Sequence, residues 1–176
     1  MGSPFLYYGD EIGMGDDVSL FDRNGLRTPM QWDASLHGGF SAAPLAELYA
    51  PPISDSVYGY AQVNVGAQID DPDSLLTKVR QMIATRKQTD IFGLGAFAWK
   101  DFAYPADNQA VAVYQRGEGA ERVVVLNNLS DRAIRGWFPE TAPAFRDMLT
   151  GREFLPGDQV LEPYEFLWLQ PLGAPP

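Results

Sequence analysis

Apolar residues are spaced in three different ways along this chain, and each spacing predicts a different kind of structure. Phe5, Leu6, Tyr7 and Tyr8 follow one another without alternation, the pattern of a strand covered on both faces, as in a parallel sheet. Residues 14–73 then show little periodicity and are punctuated by Gly15, Gly25, Gly38, Gly39, Pro51 and Pro52. Loops of that length are uncommon inside a compact domain and are usually functional. At Leu75, Leu76, Val79, Met82 and Ile83 the spacing becomes helical, with Lys78, Arg80, Gln81 and Lys87 mostly on the opposite side. Asp71-Pro72-Asp73 reads as the start of this helix, with Asp71 as the cap and Pro72 in the first helical position. Acid there also faces the positive end of the helix dipole. The helix needs an apolar partner, and the strand at 5–8 is the nearest candidate.

The character changes near Ile91. From Gly93 onward the chain reads as short strands: GAFAWKDF, QAVAVYQR, ERVVVLNNLS, AIRGWF, AFRDML and EPYEFLWLQP. They are bounded by turn residues at Pro105–Asn108, Gly117–Gly119 and Pro156–Asp158. Such spacing predicts an antiparallel sandwich or barrel. Val111 and Val113 share one face, opposite Ala112 and Tyr114, while Val123, Val124 and Val125 have the composition of a central strand. No internal repeat and no low-complexity tract interrupts this order.

Composition narrows the function more than the fold. The net charge of −10 opposes binding to any polyanion, so no nucleic-acid partner is expected. With no cysteine there is no disulfide framework, iron–sulfur cluster or thiolate zinc site. No apolar stretch has the length of a membrane span, and the N-terminus lacks the features of a secretion signal. No membrane partner is expected, and the default compartment is the cytoplasm.

The chemistry concentrates in GDEIGMGDDVSLFDRNGLRTPMQW, residues 9–32. Asp10, Glu11, Asp16, Asp17 and Asp22 lie close in sequence to Arg23, Arg27 and Trp32, in a loop after a strand. In an α/β architecture such loops build sites; equally, the segment reads as a solvated acidic loop with local ion pairs. A helix–loop–helix calcium site fails. With Gly25 at the sixth loop position, the first falls on Leu20 and the twelfth on Gln31, neither of them a carboxylate. Asp10, Asp16 and Asp17 remain conceivable metal contacts only in some other geometry. His37, the single histidine, sits in a Leu-His-Gly-Gly turn and reads as a surface group, not a catalytic base. Trp and Tyr residues of the β region suit either a core or a sugar-stacking platform, and their alternation favours the core. The expected metal and cofactor content is none.

PFLYYGDEIGMG followed by DRNGLRTPMQW resembles the α-amylase superfamily of glycoside hydrolases, family thirteen, and within it the trehalose synthase branch of maltose glucosylmutases. GGFS at 38–41, LYAPPISDSVYGYAQVNV at 48–65 and SLLTKVRQMIATRK at 74–87 continue the likeness in order. RTPMQW is shared with related α-glucosidases, whereas GDEIGMGD with DRNG favours the mutase branch. The likeness is strongest over residues 4–87 and weaker in the β region.

The resemblance implies an α+β chain: the last strand, long loop and helix of a (β/α)8 barrel, followed by an all-β antiparallel sandwich. Residues 1–90 would be the barrel portion and 91–176 the β-sandwich domain. It also implies where the chemistry comes from. Retaining glycosidases use one carboxylate as nucleophile and a second as general acid/base. In this family these, with a third aspartate that holds sugar hydroxyls, stand on barrel strands four, five and seven. No such strands are among these residues, so no catalytic residue is expected in this chain and the chain alone is expected to be inactive. Asp10 and Glu11 match the family's GDE turn and are not substitutes. Arg23 matches an arginine that reaches the outer hydroxyls of the glucose in the first subsite, and Asp22 would orient it. Arg27 and Trp32 would brace the loop. A local ion pair of Arg23 with Asp22 or Asp16 is the competing state. Expected partners are maltose, trehalose or related glucosides once the barrel is complete, together with an N-terminal barrel chain or a second copy. The alternatives are an α-glucosidase-type hydrolase portion and a non-catalytic carbohydrate-binding or assembly module. Phe5, Leu6, Tyr7 and the apolar face of the 75–83 helix are expected to lack their normal cover.

Overall fold

The computed structural model describes residues 4–100, 110–138 and 141–173. The turn expected at Pro105–Asn108 and the flanking strand ends at Asp101, Phe102 and Gln109 lie outside the described residues. The chain divides into two compact units, Met1–Ile83 and Ala84–Pro176. The division falls inside a helix, whereas the shift in composition placed it after residue 90.

In the first unit the strand expected at 5–8 does not form. Phe5 is 93% and Leu6 59% exposed, and Tyr7 and Tyr8 are exposed as well. A strand needs neighbours to complete its ladder of amides and carbonyls. Among the described residues every strand lies between Phe97 and Leu172, in the second unit. The segment closes instead on a 3-10 turn at Asp10–Ile12. Asp10 N–H donates to the Tyr7 carbonyl at 3.1 Å, and Tyr7 N–H donates to Asp10 Oδ2 at 2.8 Å.

The aperiodic segment is organised by 3-10 turns at Asp22–Arg27, Leu36–Gly39 and Leu45–Glu47 and by a short helix α1, Val65–Gln68. Its small core is Ile12, Met30 and Leu76, with Met14, Val63 and Val65 packed against it. Gln31 is fully buried and ties distant segments together: Nε2 donates to the Tyr58 carbonyl at 3.1 Å and also to that of Val63. His37, expected at the surface, is buried. It adopts a left-handed φ of 55°, and Trp32 N–H donates to the Gly38 carbonyl at 2.8 Å, folding the turn inward. The ring's Nδ1 then lies 3.2 Å from the Ser41 carbonyl.

Helix α2 spans Leu75–Arg86, as the apolar spacing predicts. Its cap is Ser74, not Asp71: Ser74 Oγ accepts from Thr77 N–H at 3.2 Å, and its single proton is shared between the Asp71 and Gln68 carbonyl oxygens, each 2.8 Å away. A serine hydroxyl can accept the third helical amide while also donating, which a carboxylate cannot do. Asp71 closes the preceding turn by accepting from Asp73 N–H at 2.9 Å. Gln68 fastens the helix start, accepting from Leu76 N–H at 3.1 Å while donating to the Ile12 carbonyl at 2.8 Å. Leu76 is buried, but Leu75 and Ile83 remain exposed, so the apolar face is only partly covered.

The second unit carries a short helix α3 (Ile91–Leu94) and strands β1 (Phe97–Trp99), β2 (Val111–Arg116), β3 (Val123–Asn128), β4 (Ile134–Phe138), β5 (Ala144–Asp147), β6 (Glu153–Phe154), β7 (Gly157–Leu161) and β8 (Phe166–Leu172). Six of them form a sheet in the order β1-β2-β3-β8-β5-β6, and β4 pairs with β7 in a second sheet. Every pairing is antiparallel. β3 is interior to the sheet, and Val123, Val124, Val125 and Leu126 are all 0% exposed, as expected for a central strand covered on both faces. Ile134, Phe138 and Leu161 of the small sheet share one core with Val113, Val124, Leu126, Phe145, Leu167 and Leu169 of the large one.

Two strands were not legible. Glu153–Phe154 is too short to announce itself, and Pro156-Gly157-Asp158, read as a turn, instead opens β7. Gly157 takes φ 118°, a conformation open to glycine and little else, and pairs with Phe138 while Asp158 pairs with Trp137. Asp147 is buried and fully used: Oδ1 accepts from Trp168 N–H at 2.9 Å, and Oδ2 from the Thr150 amide and hydroxyl. Among the described residues no helix is long and apolar enough to cross a membrane.

Candidate functional site

The acids of residues 9–17 first serve their own turns. Glu11 Oε2 accepts from Gly9 N–H at 2.9 Å, and Asp17 Oδ1 accepts from the Ser19 amide at 3.0 Å. Gly9 and Gly13 sit at φ 93° and 75° on either side of the Asp10–Ile12 turn, so the GDEIG run reads as the chemistry of a tight reversal. Among the described residues no three His, Asp or Glu side chains gather in a way that could hold a metal ion.

The DRNG run is shaped by a close backbone crossing. Asp17 N–H donates to the Gly25 carbonyl at 3.2 Å, and a Cβ on Gly25 would lie 2.2 Å from the Asp17 carbonyl oxygen. Only a residue without a side chain fits there. The crossing holds the 3-10 turn Asp22–Arg27 against the 14–17 segment, so that Arg23 and Arg27 line one cleft with Tyr7, Tyr8, Asp10 and Asp16, ≈400 Å³ in volume. Asp22, at φ 55°, begins this turn but does not line the cleft with Arg23. Among the described residues no ion pair joins Arg23 to Asp22 or Asp16. The guanidinium is exposed at the cleft with acids near it and no salt bridge to either candidate.

A second cavity of ≈470 Å³ shares Tyr8, Arg27 and Thr28 with the first, takes in Glu11, and is otherwise mostly apolar, lined by Met30, Trp32, Phe40, Leu48 and Tyr49 among others. The Tyr8 hydroxyl donates to the Thr28 carbonyl at 2.9 Å, fixing the wall between the two spaces. Partial burial pushes the Tyr8 phenol above its usual range, Tyr7 adds to that, and the Arg27 charge opposes it. The sequence reading put Arg27 and Trp32 in a bracing role, and the structure places both at a cavity lining. It had not singled out Tyr8, Phe40 or Tyr49. The signal for Tyr8 was the consecutive aromatic pair before GDE, whereas Phe40 and Tyr49 carry no local signal because a fold of the aperiodic segment brings them in.

The description "Alpha amylase, catalytic domain" fits residues 1–95. The trehalose synthase of Pimelobacter sp. is 52% identical over 133 residues, which is 73% of this chain and 22% of that protein. The trehalose synthase/amylase of Mycolicibacterium smegmatis is 46% identical over 138 residues, again 73% of this chain and 23% of its own length. The chain thus spans about a fifth of the length of these curated relatives. Among solved structures, the trehalose-6-phosphate hydrolase of Bacillus licheniformis superposes with a TM-score of 0.73 at 22% identity, covering 96% of this chain and 36% of that one. The isomaltulose synthase of Erwinia rhapontici superposes at 0.64 with 26% identity, covering 85% of this chain and 26% of that one. With its catalytic-domain match extending over more than half of its residues, and with trehalose synthases among its relatives in sequence, this chain belongs to the alpha-amylase family.

Proposed function

We propose that this chain is the C-terminal portion of a trehalose synthase-like enzyme that interconverts maltose and trehalose by intramolecular glucosyl transfer. The observation that carries the reading is the likeness to trehalose synthases at about half identity across most of the chain. In this reading residues 1–90 carry the last strand, loop and helix of a (β/α)8 barrel, and the two antiparallel sheets of residues 91–176 are a β-sandwich. Phe5–Tyr8 gains strand pairing only when neighbouring barrel strands supply the ladder, which accounts for its exposure here.

The reaction needs a nucleophilic carboxylate and a second carboxyl group as acid/base, about 5–5.5 Å apart in retaining enzymes. Both come from strands outside these residues, so the chain by itself does not turn over maltose. What it contributes is recognition. Arg23 offers a planar fork of donors to sugar hydroxyls, and its lack of an ion pair with Asp22 or Asp16 leaves that fork available at the cleft. Asp22 opens the same turn, at a left-handed φ of 55°. The partner is a glucoside held in the completed barrel, and the barrel portion itself is the macromolecular partner.

The test is incubation with maltose of the chain alone and mixed with a polypeptide carrying the first seven barrel strands, reading trehalose and glucose. Trehalose only in the mixture, with a raised KM for Arg23→Ala, supports the reading. Turnover by the chain alone overturns the placement of the carboxylates. Glucose without trehalose in the mixture replaces the mutase with a hydrolase.

A further inference from the structure

Asn24 is the one asparagine of this chain that a glycine follows, and the turn it occupies decides what becomes of that pair. An asparagine loses its side-chain amide as ammonia when the next residue's backbone nitrogen attacks its Cγ: the N–Cγ bond forms, the Cγ–Nδ2 bond breaks, and the attacking nitrogen's proton leaves with the amide. Water then opens the cyclic imide at either carbonyl, giving an aspartyl residue or an isoaspartyl residue whose main chain runs through the former side chain. Glycine favours the attack because no Cβ shields its nitrogen. Asn64, Asn127 and Asn128 are followed by Val65, Asn128 and Leu129, and each holds its Nδ2 on a backbone carbonyl.

Ring closure needs the Gly25 nitrogen to eclipse the Asn24 Cβ about the Cα–C bond. The 3-10 turn Asp22–Arg27 opposes this, because a 3-10 ψ of about −20 to −30° holds the two atoms roughly a quarter-turn apart. The peptide between them is also clamped on both sides. Asn24 N–H donates to the Phe21 carbonyl at 3.3 Å, and the Gly25 carbonyl accepts from Asp17 N–H at 3.2 Å. Gly25 is buried, and it passes Asp17 so closely that a Cβ would lie 2.2 Å from the Asp17 carbonyl oxygen. Rotating that peptide therefore means parting the two backbones.

We infer that Asn24–Gly25 is a deamidation site gated by the 17–25 crossing: the closed crossing preserves Asn24, and each opening exposes it to an irreversible change. The change also locks the opening in. An isoaspartyl link adds a methylene to the main chain beside a backbone contact that has no room even for a Cβ, so the crossing does not re-form. The aspartyl product keeps the chain length and adds a carboxylate next to Arg23. The site depends on this turn and not on the catalytic reading.

The test incubates the full chain at mildly alkaline pH in increasing urea, maps deamidation by peptide mass spectrometry, and follows the Asp17 amide by hydrogen exchange in the same series. In native buffer Asn24 deamidates at least about tenfold more slowly than in the unfolded chain, the ratio of an opening that costs about 1.4 kcal/mol. Below the unfolding transition its rate rises in step with Asp17 exchange. The isoaspartyl fraction, separated by chromatography, has lost Asp17 protection while the β3 amides keep theirs. Asn24→Gln, which would have to close a larger ring, suppresses the reaction without altering Gly25. Equal rates in native buffer and in urea, a rate indifferent to Asp17 exchange, an Asn24 that survives unfolding, or an isoaspartyl form with Asp17 still protected would each overturn the gate. Since the readout is a covalent change and not turnover, its failure leaves the catalytic proposal standing, and the reverse also holds.

Discussion

Replacing Gly25 by alanine tests whether the 17–25 backbone crossing shapes the candidate cleft. Two effects with opposite signs compete. Gly25 has no positive φ, so alanine fits its backbone conformation, and a smaller unfolded-state entropy alone would stabilise the protein by about 0.4–1 kcal/mol. Against this, the new Cβ would sit 2.2 Å from the Asp17 carbonyl oxygen and 3.0 Å from its carbonyl carbon. An ordinary carbon–oxygen contact is about 3.3 Å, so the backbones must part by roughly 1 Å. No flexible side chain is involved, and the neighbour cannot give way by changing rotamer. Parting stretches the 3.2 Å bond from Asp17 N–H to the Gly25 carbonyl beyond use, at about 1 kcal/mol, and overpacking adds about 1–3 kcal/mol. The net expectation is a loss of about 1–3 kcal/mol confined to the first unit. Hydrogen exchange followed by NMR reads this directly: the Asp17 amide loses protection while those of β3 keep theirs. Gly25→Ala with unchanged or increased Asp17 protection would refute the close crossing and, with it, the account of how Arg23 is positioned.

Gly93→Ala is the matching control. Gly93 lies in α3 with nothing within 4 Å of its would-be Cβ, so urea denaturation should show stability unchanged or raised by up to about 1 kcal/mol. Asp147→Ala strands the buried Trp168 amide and should cost about 1–3 kcal/mol, read as a lower melting temperature of the β unit. Ser74→Ala removes the α2 cap at a cost of about 1 kcal/mol, and circular dichroism should show fraying, with Ser74→Asp restoring part of it. Backbone N–H groups of Tyr58 and Val57 hold the Asp55 carboxyl below its usual range. A depressed folded value means the stabilisation is complete above the unfolded value of about 3.9 and is lost as pH falls through the lower folded one. Protection of the Val57 and Tyr58 amides should therefore persist through pH 5 and fall only below about pH 4.

Some of this molecule was written locally. The helix at 75–86 follows from apolar residues three and four apart, the central strand β3 from its consecutive valines, and the family from GDEIGMGD and RTPMQW. Each is a pattern that a short window contains whole. The tertiary structure decided what depends on distant partners. Phe5–Tyr8 has strand composition, yet a strand exists only where another backbone completes its ladder. His37 is buried because the turn around it folds back on Trp32, and Ser74 displaces Asp71 as the cap because the Gln68 and Asp71 carbonyls converge on its hydroxyl. Arg23 could be named from its motif, but its place in a cleft with Tyr7 and Asp16, clear of a salt bridge to Asp22 or Asp16, rests on Gly25 passing against Asp17. Backbone packing at that distance depends on the whole path of the chain between the two residues, which no local spacing encodes.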